Sequence, residues 1–509
     1  MGGGLMQLVV KGKQDVFLTG NPQITFFKMI YKQHTNFSME SIEQHFNGSV
    51  DFGKKLNCII SKNGDLIHKI YLSVILPKID CGNTTSDNIN KFRWLNWIGH
   101  NIIKNVYIEI GGQIIDEHYG EWLHIWNELS QKTGKQNGYA NMVGNVPRLT
   151  QVVQGNANPD DRTSSEIPET RLYIPLQFWF CKNPGLALPL IALQYDEVKI
   201  IVELNDHKSC CWATGKYQLS PPVLVNASLF VDYIYLDTEE RRSFAEKEHE
   251  YLIEQLQFNG QEILNTQNNK TKLNFNHPIK ELVWIIQPLS NIDITYTNSF
   301  GGPQFYNYTD HIDTTYFSGT PNDPMGGGMS GGNSNNISWG LPISDNSILN
   351  NNTGLLEATS GNSSNTSALS NTGFYNITTN SINSNSVLSG YSNLPLYDKG
   401  KTPIISAKIQ INGHDRFSLR DGKYFNFIQP YQHHSNVPST GINVYSFSLY
   451  PEDHQPSGTC NFSKVDTSNL IFTLTPESVN SRKSYIRVYA LNYNILKISN
   501  GLGRLAYSK

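Results

Sequence analysis

The stretch Tyr445-Ser-Phe-Ser-Leu-Tyr-Pro-Glu-Asp-His-Gln-Pro-Ser-Gly-Thr-Cys-Asn-Phe-Ser-Lys-Val-Asp466 decides how this chain is read. Tyr445, Phe447 and Leu449 alternate with serines, the period-2 pattern of a strand with one buried face. Pro451, Pro456 and Gly458 then punctuate a turn, and a second strand starts near Cys460. The consecutive Glu452, Asp453 and His454 do not make a catalytic triad, because triads are assembled in space and not along the chain. In such a turn these side chains are expected to bond backbone amides or to meet a neighbouring subunit.

Composition agrees with a β-rich protein. Of 509 residues 11% are aromatic and only 16% charged, which favours strands over helical bundles. The length calls for more than one compact core. A net charge of −3, with Lys11, Lys13 and Lys28 the only basic residues among the first 30, argues against direct nucleic-acid binding. Phosphate affinity needs clustered Lys and Arg to release counterions. The six cysteines (Cys58, Cys81, Cys181, Cys210, Cys211 and Cys460) form no CxxC pair, so reduced, partly buried thiols are expected. No window approaches about 18 apolar residues, and the start lacks the basic and apolar regions of a secretory signal. The expectation is a soluble product of the cytosol.

The same order of elements is written twice. Ser41-Ile-Glu-Gln-His-Phe-Asn-Gly48 is echoed by Leu252-Ile-Glu-Gln-Leu-Gln-Phe-Asn-Gly260. Each is followed by a short strand, expected at 55–61 and 272–276, and then by a long apolar strand ending at proline, 67–77 and 279–288. A strand broken by glycine comes next in each half (106–113 and 407–414), with an amphipathic helix expected at 121–129 in the first. Strands at 172–180 and 443–450, and closing alternating runs at 227–236 and 485–496, complete the two series. Short period-2 runs bounded by Gly, Pro and Asn point to a sandwich or jelly roll, and their duplication to two of them. The charged run 237–250 is the natural linker, a short solvated helix.

Between its proline-ended and glycine-broken strands the second half carries a long insertion. No Lys or Arg occurs from Glu281 to Asp398, and about two-thirds of residues 326–390 are Asn, Ser, Thr or Gly. Recurrent apolar residues such as Ile337, Trp339, Leu349 and Phe374 favour an ordered surface excursion with small hairpins over a disordered linker. Asn336, Asn351, Asn362, Asn365 and Asn376 stand in N-x-S/T triplets. They are the candidate glycosylation sites, although such a composition yields triplets by itself and the default expectation is no modification.

Nothing else suggests chemistry. Gly400-Lys-Thr402 lacks the first glycine of a phosphate loop, since position 395 is Pro395. Gly501-Leu-Gly-Arg-Leu-Ala506 fits a loose dinucleotide pattern, but only three residues follow, too few for the required helix. His433-His434 and the pair His118/His124 lack metal-ligand spacing, and a turn or surface role is expected for them. No catalytic residue, cofactor or metal site is expected.

Two strings identify a family: the 445–466 stretch, and Thr19-Gly-Asn-Pro-Gln-Ile-Thr-Phe-Phe-Lys28 followed by Tyr31-Lys-Gln-His-Thr-Asn-Phe37. Together with Phe275-Asn-His-Pro278 and Leu491-Asn-Tyr-Asn-Ile-Leu496, they resemble the major capsid proteins of nucleocytoplasmic large DNA viruses of algae or protists. The resemblance implies an all-β chain of two consecutive eight-stranded jelly rolls, a double jelly roll. The expected division is an N-terminal arm at 1–25, a first jelly roll at 26–237, a linker at 238–250 and a second jelly roll at 251–509 with its insertion at about 289–403. It further implies a homotrimeric, pseudo-hexagonal capsomer tiling an icosahedral shell. Its partners would be neighbouring capsomers, minor capsid and penton proteins and a nearby internal membrane, with assembly in the host cytoplasm and residence in the virion. By the same resemblance the insertion is an outward tower and the arm lies underneath. Two other classes stay open: a carbohydrate-binding jelly roll using aromatics such as Trp339, and a β-sandwich hydrolase.

Overall fold

The computed structural model describes residues 3–9, 12, 19–29, 31–82, 90–155, 165–298, 301–310, 312, 348–350, 355–357, 401–479 and 483–507. The first half contributes eight principal strands: β1 (Phe37–His45), β2 (Lys55–Ile59), β3 (Leu66–Leu76), β4 (Ile103–Ile110), β5 (Gln113–Tyr119), β6 (Thr170–Pro175), β7 (Val198–Leu204) and β8 (Asn226–Leu236). The second contributes eight more: β9 (His249–Leu264), β10 (Asn268–Lys272), β11 (Pro278–Pro288), β12 (Ile404–Ile411), β13 (His414–Asp415), β14 (Ile442–Ser446), β15 (Ser468–Leu474) and β16 (Ser484–Ser499).

Pairing makes each half a jelly roll. The first half has sheets ordered β1-β8-β3-β6 and β2-β7-β4-β5, and the second β9-β16-β11-β14 and β10-β15-β12-β13. First strand pairs with last, second with seventh, and fourth with fifth, all antiparallel, with third beside sixth in the same way. A long hairpin rolled onto itself gives this nesting. The two halves share it strand for strand, so the expected duplication and the all-β double jelly roll are what the chain folds into.

The structure departs from the sequence reading at several places. The strand expected at 172–180 ends at Pro175, and Trp179–Lys182 is helical. The strand expected at 443–450 ends at Ser446 and is buried throughout, and Leu449, expected on its buried face, is exposed. The short strand expected at 272–276 lies at Asn268–Lys272, whose Asn-Asn-Lys-Thr-Lys composition buries only Thr271 and gives no apolar signal. The seventh strand of each half is absent from the two expected series, although Val198, Ile200, Val202 and Leu204, and likewise Leu470, Phe472 and Leu474, alternate toward the core.

Five helices shape the linker, the junction between the rolls and the exposed flank of the second: α1 (Ile98–Ile102), α2 (Gly120–Ser130), α3 (Gln136–Val143), α4 (Thr238–Glu246) and α5 (Gln429–His433). In α4, capped by the Asp237 carboxylate on the Thr238 amide, no residue is buried, as expected of a solvated linker.

Register fixes which end is which. Phe37 opposes Leu236, so the segment before β1 and the linker after β8 leave one end of the first roll. In the second roll His249 opposes Ile498, whereas Pro288, where the insertion departs, opposes Ser484 at the far end. The rolls stand side by side in the same sense: the Tyr195 amide bonds Gly501 O at the linker end, and the Trp212 indole bonds Asn298 Oδ1 at the insertion end. The insertion and the N-terminal segment therefore leave opposite ends. Among the described residues of the insertion, Ile348–Asn350 pairs with Leu355–Glu357 as a hairpin.

Candidate assembly surfaces

Helix α2 is the wedge that joins the rolls. Its Trp122, Ile125, Trp126 and Leu129 are buried together with Leu256, Val283, Ile285, Ile442, Val444, Tyr489 and Leu491 of the second roll. The other face of that sheet packs its own roll's core through Leu282, Trp284, Ile286, Ile486 and Val488. This double burial explains why Leu282–Ile286 of β11 run apolar without alternation and why the strand is inaccessible along nearly its whole length. Each large apolar side chain so buried contributes about 1.5–3 kcal/mol relative to exposure.

Buried charge threads the same junction. Glu121 of α2 accepts Arg487 Nη1 at 2.9 Å, Tyr489 OH at 2.6 Å and Tyr308 OH at 3.2 Å. Glu254 of β9 faces two cations, Lys182 of the first roll at 2.8 Å and Lys280 of β11. Burial pushes the Glu254 carboxyl up, yet the two ammonium groups outweigh it and hold it down to about 2. Lys280, wholly inaccessible, is pushed down by burial and by Lys182 despite its bond to Glu254. Lys182 also lies 4.2 Å over the Trp126 ring. Asp116 accepts the Leu256 amide at 3.0 Å, Gln255 donates to Ile115 O, and Asp196 accepts Gly503 N at 2.8 Å and Arg504 at 2.7 Å. The Gly501–Ala506 segment is thus a tie between rolls.

The remaining motifs find structural places. The His434 side chain is inaccessible, 2.9 Å from Glu281 and 3.0 Å from Glu452, which corrects the turn or surface role expected of it. Burial pulls this imidazole down, but the two carboxylates raise it to about 9. Glu452 also accepts the Ser435 amide at 2.8 Å, a backbone bond of the kind expected of the Pro451–Pro456 turn. His433 is half-buried, its ring bonded to Leu449 O. His118 is buried 3.0 Å from Asp116, and His124 is buried beside His100, so neither is a surface group. The Lys401 amide bonds Asp310 Oδ1 and Lys401 O accepts the Asp310 amide, closing the foot of the insertion. Asn336, Asn351, Asn362, Asn365 and Asn376 lie outside the described residues. Among the described residues no group of three or more His, Cys, Asp or Glu is placed to hold a metal ion, and no helix is long and apolar enough to cross a membrane.

What the chain does present is exposed apolar surface. Phe26, Phe27, Met29 and Tyr31 of the N-terminal segment are 87–97% exposed. On the second roll Tyr431 of α5 and the nearby Leu449 and Tyr450 are exposed, as are Leu219, Val223 and Val225 on the first. These side chains are the candidate contact surfaces, since contiguous exposed apolar area is what contacts between macromolecules use.

Comparison with known proteins agrees with this reading. The family model described as major capsid protein N-terminus matches residues 25–237, and that of large eukaryotic DNA virus major capsid protein matches residues 240–504. The chain is 46% identical to a major capsid protein of Phaeocystis pouchetii virus, over 100% of both chains. It is 42% identical to that of Chrysochromulina ericina virus, again over 100% of both. Among solved structures it is similar to a chain of the PBCV-1 virus capsid, with a TM-score of 0.62 and 31% identity over 95% of this chain and 100% of that one. Strand order, the two junction-forming rolls and whole-length similarity converge: this chain belongs to the family of large eukaryotic DNA virus major capsid proteins.

Proposed function

We propose that this chain is the structural major capsid protein of a large double-stranded DNA virus, and that three copies close into a homotrimeric, pseudo-hexagonal capsomer that tiles an icosahedral shell. One observation carries the reading: two jelly rolls of identical strand order stand side by side in the same sense, locked by α2 and by buried charge. A rigid unit with two similar lobes, repeated three times about an axis, gives six lobes and a hexagonal outline. Closed rotational symmetry satisfies heterologous patches without open-ended fibres.

The functional division we adopt is an arm at 1–25, rolls at 26–237 and 251–509, a linker at 238–250 and an insertion at about 289–403. The insertion leaves the end opposite the arm, which suits an outward tower and an inward arm. The exposed Phe26, Phe27, Met29 and Tyr31, which follow the arm and precede β1, then face minor capsid and penton proteins or an internal membrane, while roll flanks meet neighbouring capsomers. Asn336, Asn351, Asn362, Asn365 and Asn376 would be carried outward as the glycosylation candidates. The role is structural, without a catalysed reaction or direct nucleic-acid binding, in a virion assembled in host cytoplasm.

Electron microscopy of the purified protein tests the proposal. Particles with three-fold symmetry and a hexagonal outline are expected. Asymmetric monomers retained on glycans through aromatics such as Trp339 would replace this reading with a carbohydrate-binding one.

A further inference from the structure

His100 of α1 and His124 of α2 are 0% and 2% exposed, with ring centroids 5.8 Å apart. His100 Nε2 is 2.8 Å from Tyr139 OH of α3, and neither Nδ1 has a hydrogen-bond partner among the described residues. Trp97 lies flat on His100 at 5.5 Å, its own backbone held at φ 56°, a left-handed conformation uncommon for a bulky residue. Tyr306 of the second roll closes the other side, 4.2 Å from His124 and 6.3 Å from His100. Tyr306 belongs to segment 301–310, which ends at the Asp310–Lys401 clasp and is the foot of the insertion.

The titratable groups around the pair give no compensating charge. Tyr139 faces it from α3 and Tyr306 from segment 301–310; Cys210, bonded to Asn101 O, acts on Tyr306. Of the two carboxylates on α2, Glu121 is occupied by Arg487, Tyr308 and Tyr489, and Glu128, one turn beyond His124, accepts the Ser439 amide at 3.2 Å. No carboxylate is bonded to either ring among the described residues, in contrast to His434 between its two glutamates.

We propose that the His100–His124 pair is an acid-released latch: taking up protons would part segment 301–310, the foot of the insertion, from α1 and α2 of the first jelly roll. Two cations cannot share a buried aromatic box without a counter-ion. Burial holds His100 down at about 3, and burial together with its neighbour holds His124 well below the ordinary imidazole range. A group depressed in the closed state contributes stability above its ordinary value near 6.5, and that stability is lost as pH falls. With two such groups, the opening equilibrium rises about 10³-fold between pH 7.5 and 5.

Hydrogen exchange of the assembled full-length protein, corrected for the intrinsic effect of pH, tests the latch. Residues 97–102, 120–130 and 301–310 should lose protection on acidification by that factor, while β11 does not. Unchanged protection of 301–310, or an equal loss across β11, overturns it. Exchange of the imidazole C2 hydrogens in the wild-type protein reads the two groups directly: both should resist protonation down to pH 5, and midpoints near 6.5 sink the proposal. The double variant His100→Gln/His124→Phe should keep protection at pH 7.5 and lose its pH dependence; a retained dependence again overturns the latch.

Discussion

Arg487 of β16 lies 2.9 Å from Glu121 of α2, and this pair, with 17% and 12% of its side chains exposed, ties the last strand of the second jelly roll to the helix that wedges it against the first. Ionic pairs in such surroundings contribute little over apolar residues of like shape, but removing one partner strands the other. Glu121→Ala should therefore lower unfolding free energy by about 3–5 kcal/mol, while Glu121→Leu combined with Arg487→Met should recover only part of the loss, because the Tyr308 and Tyr489 hydroxyls still lose their acceptor. Denaturant unfolding at fixed protein concentration measures both, since assembly links stability to concentration.

Gly120 opens α2 where a Cβ would run into the carbonyl oxygens of His100 and Ile103. Gly120→Ala should push the helix out of its groove and destabilise the junction by about 1–3 kcal/mol. A lower thermal midpoint together with altered fluorescence of Trp122 and Trp126 is the expected signature. An unchanged midpoint would show that α2 tolerates displacement and is no wedge.

His434 gives the protein an alkaline limit. Its imidazole is raised from the ordinary 6.5 to about 9 in the folded chain by Glu281 and Glu452 against the effect of burial. The stabilisation is complete below pH 6.5 and is lost as pH rises through about 9, roughly 3 kcal/mol in all. Thermal midpoints of the wild type should fall between pH 7 and 9.5, whereas those of His434→Gln should start lower and fall less. Parallel curves would rule out this group as the cause.

Cys58, Cys81, Cys181, Cys210 and Cys211 are buried and Cys460 is half-buried. Burial raises each thiol, to about 11 in Cys58 and Cys81. A neutral-pH thiol reagent should modify Cys460 first in the native protein and all six only after unfolding. Rapid native labelling of Cys210 or Cys181 would contradict the packing described.

The sequence showed the strands that have one wet face, because alternation survives there: Leu229, Val231 and Tyr233 of β8 are inaccessible, while Phe230 and Asp232 are only half-buried. It also showed the duplication, since Ile-Glu-Gln and Phe-Asn-Gly recur at the same place in both series. The position of β10 escaped, because a short polar edge strand is specified by its partner β15 and not by its own residues. The junction escaped for another reason. Tyr489 and Glu121 are 368 residues apart, and no local pattern joins groups so distant. His434 read as a surface residue because the carboxylates that bury its charge come from β11 and from the turn after β14.

Two equivalent sandwiches in each copy serve to bring copies together, and native mass spectrometry of the purified chain tests this most directly. One dominant species of about 170 kDa, three copies of the 57.4 kDa chain, is the expected result. A stable 57.4 kDa monomer at micromolar concentration would contradict it.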